Sequence, residues 1–131
     1  MDTLNFGLHL TLDLYNCAEE PLSNMDKCYK ALSDLPAKLD MHALIPPYVI
    51  SAEPNDKKDP GGFSGFVIIA ESHISLHTFT KRGFVSIDCY SCKDFDTELV
   101  VEYFKDIFKS DDAEVHIVKR GTRYPAENIY K

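Results

Sequence analysis

Gly65-Phe-Val-Ile-Ile-Ala-Glu-Ser-His-Ile-Ser-Leu-His-Thr-Phe-Thr-Lys-Arg-Gly-Phe-Val-Ser-Ile-Asp-Cys-Tyr90 is the stretch whose reading decides the fold. Phe66 to Ala70 is a short apolar run after a glycine, the pattern of a buried strand. Ile74, Leu76 and Thr78 then alternate with Ser75 and His77, a period of two that continues as strand. Lys81-Arg82-Gly83 reads as a turn, and Phe84 to about Tyr90 as a third strand. Strands joined by connections this short pair antiparallel.

Upstream, Leu8, Leu10, Leu12 and Leu14 alternate with His9, Thr11 and Asp13, which reads as a half-buried strand. Leu22, Met25, Cys28, Tyr29 and Leu32 recur at spacings of three and four. That stripe predicts a helix starting near Pro21, a residue suited to a first helical turn, and closed by Leu35-Pro36. Met41 to Ser51 is apolar but interrupted by Pro46-Pro47, so it holds at most a short edge strand. Glu53 to Gly62 is a polar, turn-rich loop, too short for an interdomain linker.

Downstream, Leu99, Val100, Tyr103, Phe104, Ile107 and Phe108 mark one face of a helix from Asp94 to Lys109. Its early acids (Asp94, Asp96, Glu98) and late lysines (Lys105, Lys109) match the helix dipole. A last strand is expected from about Ala113 to Lys119, followed by a polar tail. The order β-α-(β)-β-β-β-α-β predicts an α+β fold, a two-layer sandwich of an antiparallel sheet packed against two helices. Residues 1–131 form one domain in this reading.

The composition, 44% hydrophobic and 27% charged, is that of a globular chain. No apolar run approaches the roughly 20 residues that cross a bilayer, and no basic-then-apolar segment marks a secretory signal. No membrane association is expected, and the cytoplasm is the expected location. A net charge of −7 argues against a nucleic-acid partner, which calls for a basic surface. It is compatible with a cationic small molecule, although solubility alone explains it. Cys17, Cys28, Cys89 and Cys92 are expected to be free thiols in that compartment.

Ala70 to Thr78 concentrates hydroxyls and imidazoles. His73 and His77 have the spacing of zinc ligands on a helix. On a strand they share a face about 13 Å apart, too far for one ion. A Ser/His hydrolase is a second reading, but no G-x-S-x-G elbow is present. The plainest reading is hydrogen bonding within the sheet. Cys89 and Cys92 have C-x-x-C spacing at the end of a strand, where side chains three apart tend to opposite faces. That disfavours a redox pair, which sits at a helix N-terminus in thioredoxin-like proteins.

Gly62-Phe-Ser-Gly-Phe-Val-Ile-Ile-Ala-Glu-Ser-His-Ile-Ser-Leu-His-Thr-Phe79, with Gly83-Phe-Val-Ser-Ile-Asp-Cys-Tyr-Ser-Cys92, closely resembles the short prokaryotic S-adenosylmethionine decarboxylases. Gly7 to Cys17 is similar to the opening strand of that family, and weaker matching covers most of the rest.

The resemblance implies a proenzyme that cuts itself between Glu71 and Ser72 into residues 1–71 (β chain) and 72–131 (α chain). Ser72 then becomes a covalent pyruvoyl group, the catalytic Schiff-base site and an electron sink in place of pyridoxal phosphate. It further implies processing roles for His77 and Ser64 and a proton-donor role for Cys92, with Cys89 left to core packing. Ser64 must reach Ser72 through the fold. No metal and no pyridoxal phosphate are expected. The implied partner is a second copy, in a homodimer of processed chains.

The implied small-molecule substrate is S-adenosylmethionine, decarboxylated to the aminopropyl donor of spermidine synthesis. Phe79 keeps the family's aromatic position for adenine, but Lys81 stands where a glutamate usually holds the ribose. An ammonium only donates hydrogen bonds, so it is a poor partner for a diol. Arginine or ornithine decarboxylation with the same pyruvoyl group is therefore an alternative. A non-catalytic partner subunit and a thiol-based redox or metal-binding module are the others.

Overall fold

A computed structural model describes residues 3–55, 57 and 60–130. Met1, Asp2 and Lys131, and Asp56, Lys58 and Asp59 of the expected polar loop, lie outside the described residues. The strands are β1 (Thr3–Leu4), β2 (Gly7–Tyr15), β3 (Tyr48–Ala52), β4 (Gly62–Ile69), β5 (Ser72–Phe79), β6 (Phe84–Ser91), β7 (Asp112–Arg120) and β8 (Tyr124–Pro125). The helices are α1 (Glu19–Leu22), α2 (Met25–Lys38) and α3 (Thr97–Phe108). Among the described residues no helix is long and apolar enough to cross a membrane.

Six strands form one antiparallel sheet in the order β3-β4-β5-β6-β2-β7, and β1 pairs separately with β8. The alternation of β2 does what it predicts. Leu10, Leu12 and Leu14 are fully buried, and His9, Thr11 and Asp13 take the other face. Val67, Ile69, Ile74, Leu76, Val85, Ile87 and Cys89 complete the buried face. Leu22, Cys28, Leu32, Leu35, Val100, Phe104 and Phe108 cover it from the helices. Each such large side chain contributes about 1.5–3 kcal/mol on burial.

The first predicted helix is in fact two. Asn24 accepts the backbone N–H of Lys27 through its side chain and so caps α2, while Pro21 belongs to the separate turn of α1. Pro36 does not stop α2, which runs to Lys38. A proline in the last turn forfeits only the bond that its N–H would make to Leu32, and Pro36 is buried against the core. α3 starts later than predicted, because Asp96 caps it by accepting from Leu99 N–H. β3 follows the two prolines and lies at the sheet edge, as expected.

Among the described residues no helix covers the second face of the sheet. Tyr48, Ile50, Phe66, Ile68 and Val118 are exposed there.

Candidate active site

Glu71 and Ser72 sit where β4 turns into β5. Ser72 pairs with Ile69 across that hairpin and with Ser91 of β6. Its backbone is nearly extended (φ 158°), carrying the chain straight from the turn into β5. Just beyond the end of β6, Cys92 donates its backbone N–H to the carbonyl oxygen of Glu71 at 2.9 Å. The carbonyl carbon next to Ser72 is thereby polarised by a fixed donor, the arrangement that stabilises a developing oxyanion. The Glu71–Ser72 bond and the backbone of Cys92 thus lie together.

Of the four thiols, only Cys92 is exposed. Burial, with the negative charge of Asp88 beside it, pushes the Cys89 thiol up to about 12. Burial alone raises Cys28 to about 11. Cys89 and Cys92 are both free, one inside the core and one outside it.

The carboxylate of Glu71 is held from the connector after α2. His42 N–H donates to Oε1 at 3.1 Å, and His42 Nδ1 lies 3.3 Å from Oε2. Burial opposes ionisation of Glu71, but the hydrogen bonds from the backbone and ring of His42 hold its carboxyl below the ordinary range.

Ser64 and His77 form a second cluster. They face each other across β4 and β5, with His77 Nδ1 2.9 Å from Ser64 Oγ. Phe79 continues this end of the open face, packed at 5.4 Å between ring centroids on Phe84, which in turn meets Tyr15 at 5.2 Å. Lys81 is exposed in the turn Thr80–Arg82 that follows. His77 is five residues from Ser72 on one strand, about 17 Å along it. One protomer therefore does not bring Ser64, His77, Phe79 or Lys81 to Ser72. Within a protomer, Ser64 does not reach across the adjacent strand to Ser72, because the register sets it opposite His77 instead.

His73 and His77 share the open face but keep different company. His73 lies 5.7 Å from the Tyr90 ring, which His9 also flanks at 5.6 Å and over which Arg120 sits at 4.3 Å. His9 Nε2 meets Asp88 Oδ1 at 2.8 Å. Among the described residues no group of three or more His, Cys, Asp or Glu side chains gathers as metal ligands would. The grooves between α2 and α3, and beside α3, contain none of the candidate site residues. The sequence reading missed His42 and the backbone donor at Cys92. A main-chain N–H carries no sequence signal, and His42 reaches Glu71 only through the fold.

Comparison with known proteins bears on this geometry. The family described as S-adenosylmethionine decarboxylase matches residues 8–121. An S-adenosylmethionine decarboxylase proenzyme of Clostridium botulinum (strain Loch Maree / Type A3) is 37% identical over 118 residues, 88% of this chain and 94% of that one. Proenzymes with the same description from Thermococcus onnurineus and Bacillus velezensis are 35% and 33% identical, each over 92% of this chain and over 80% and 89% of their own lengths. The fold is similar to the crystal structure of the adenosylmethionine decarboxylase from Aquifex aeolicus, with a TM-score of 0.74 at 22% identity, covering 92% of this chain and 93% of that one. On this sequence evidence, with the sheet and helices agreeing, the chain belongs to the S-adenosylmethionine decarboxylase family of carboxy-lyases.

Proposed function

We propose that the chain is a proenzyme that cuts itself between Glu71 and Ser72, turns Ser72 into a pyruvoyl group, and decarboxylates S-adenosylmethionine. The observation that carries this reading is the 2.9 Å hydrogen bond from Cys92 N–H to the Glu71 carbonyl, directly beside a serine hydroxyl. In the first step Ser72 Oγ bonds to the Glu71 carbonyl carbon, the amide C–N bond breaks, and an ester forms. A base then removes the Ser72 α-proton, the Cβ–O bond breaks, and residues 1–71 leave with a carboxylate at Glu71. The dehydroalanine left at position 72 takes up water and loses ammonia, which yields the ketone.

The residues present fit that group, since Ser72 is its precursor and Cys92, whose thiol is exposed, is tied through its backbone to the adjoining carbonyl. Once formed, the pyruvoyl group supplies an electron sink for loss of carbon dioxide. Cys92 is the proton donor in this reading, because its thiol is exposed and its backbone is hydrogen-bonded at the Glu71–Ser72 bond. Phe79 offers a ring face for the adenine.

The separation of Ser72 from Ser64 and His77 supports a homodimer. Two sheets that face one another across a two-fold axis running transverse to the strands set the Ser72 end of one over the His77 end of the other. The exposed Phe66, Ile68 and Tyr48 lie on the faces that meet. The Ser64–His77 pair of each protomer then serves the Ser72 of its neighbour, His77 as the base for processing and Ser64 as its support.

Intact mass spectrometry under denaturing conditions tests the reading. Two chains, 1–71 and 72–131, with the second blocked by a ketone, are expected from the wild type, and one uncut chain from Ser72→Ala. An uncut wild-type chain would instead fit a non-catalytic subunit. Carbon dioxide release from S-adenosylmethionine is expected to exceed that from arginine or ornithine. The reverse order would give Lys81 the deciding role in substrate choice.

A further inference from the structure

The connector between α2 and β3 touches Glu71, whose carbonyl Cys92 N–H holds, and Lys93, the residue after Cys92. Asp40, in the left-handed conformation (φ 56°), receives Lys93 Nζ on its carbonyl oxygen at 2.7 Å and on Oδ2 at 3.2 Å. Lys93 directly follows Cys92. Two residues further, His42 presents two donors to the two carboxylate oxygens of Glu71. One connector thus grips the chain on each side of the bond from Cys92 N–H to Glu71 O.

The fold does not need the imidazole for this. The connector is already held by backbone bonds, Ala70 N–H to His42 O at 2.7 Å and Leu44 N–H to Ile68 O at 2.8 Å. The His42 side chain is 75% exposed, and a pair with one such partner adds little to stability. The Glu71 side chain, by contrast, is only 14% exposed. Fixing both its oxygens fixes the side chain, and with it the peptide plane between Glu71 and Ser72. If that plane turns, the carbonyl leaves Cys92 N–H and loses its oxyanion donor.

We infer that His42, braced by Asp40, is a positioning residue for self-cleavage, locking Glu71 so that its carbonyl stays on Cys92 N–H while Ser72 attacks. This rests on the reading of Glu71–Ser72 as the bond that is cut. His42 does not touch the reacting atoms and takes no proton from them.

The test follows cut and uncut chain against time after cell-free synthesis. His42→Ala is expected to slow cutting about tenfold, the scale of one charge-assisted hydrogen bond lost at the transition state. His42→Gln keeps a donor and should restore most of the rate. Glu71→Ala should slow cutting to a similar degree, and the double variant should be no slower than the slower single one. Thermal unfolding of His42→Ala in the uncut Ser72→Ala background should match its parent. If the wild type does not cut between Glu71 and Ser72, the functional reading itself falls, and this inference with it. If the wild type cuts and His42→Ala cuts equally fast, positioning by His42 is refuted. It is refuted also if His42→Gln is as slow as His42→Ala, or if His42→Ala unfolds at a clearly lower temperature than its parent.

Discussion

Ser64 on β4 stands directly opposite His77 on β5, with 2.9 Å between Oγ and Nδ1, five residues along the strand from Ser72. A pair so placed acts on the Ser72 of another subunit or on none. Two disabled chains should therefore rescue one another. In the proposed homodimer, co-expressed Ser72→Ala and His77→Ala chains would form mixed dimers in which one of the two sites has both groups, so the His77→Ala chain should be cut there. Expressed alone, neither variant should be cut at an appreciable rate. Absence of cutting in the mixture, read by mass spectrometry, would remove the shared site.

Thr78 is a buried tie between the layers. Its hydroxyl donates to Leu22 O at 2.9 Å and accepts Phe63 N–H at 2.9 Å. Thr78→Val keeps the shape, takes the side-chain acceptor from Phe63 N–H and leaves Leu22 O with the longer 3.3 Å bond from the Thr80 hydroxyl. An unpaired buried group costs about 1–3 kcal/mol, so urea unfolding should show a loss of about 1–3 kcal/mol.

Native alkylation should modify one thiol. Cys92 is exposed, Cys28 and Cys89 are buried, and half-buried Cys17 is raised to about 11, chiefly by burial. At neutral pH those three have almost no thiolate to react. Iodoacetamide should add a single mass increment to the folded protein, lost in Cys92→Ala, and four increments in denaturant.

Tyr103 makes stability fall at alkaline pH. Burial, with Asp34 adding to it, pushes its hydroxyl from 10.0 up to about 12, while it donates to Ala31 O at 2.7 Å. The unfolded chain therefore gives up this proton first. The contribution is full below about pH 10 and is lost as pH rises toward 12. Tyr103→Phe should flatten that part of the curve in denaturant titrations. A residual slope is expected from Tyr15, also raised to about 12, first by its hydrogen bond to Glu114.

Much of the fold was legible because period-two and helical patterns are local. Leu8 to Leu14, Ile74 to Thr78 and Phe104 to Phe108 each declare their own element and buried face. Boundaries were weaker: the stripe from Leu22 to Leu32 hid the break at Ser23-Asn24, where a side-chain cap outranks the apolar spacing. The order of strands was not readable. Nothing near Leu10 announces that β2 lies between β6 and β7, because that depends on contacts far apart in sequence. For the site, Glu71-Ser72 and Cys92 could be quoted from the sequence. The register that sets Ser64 against His77 and away from Ser72 could not, and neither could the reach of His42 to Glu71.

The strand order gives the proposed cut one more meaning. Residues 1–71 supply β2, β3 and β4, and residues 72–131 supply β5, β6 and β7, so β2 lies between two strands of the other product. The uncut chain finds this interleaved arrangement in a unimolecular search. After the cut, the same sheet can be rebuilt only by two separate molecules meeting and threading together. Refolding from denaturant should be first order for Ser72→Ala, but second order and poorly reversible for the mature protein. If the chain cuts itself as proposed, the uncut form is the one that folds, and its product would persist through its barrier to unfolding rather than by equilibrium.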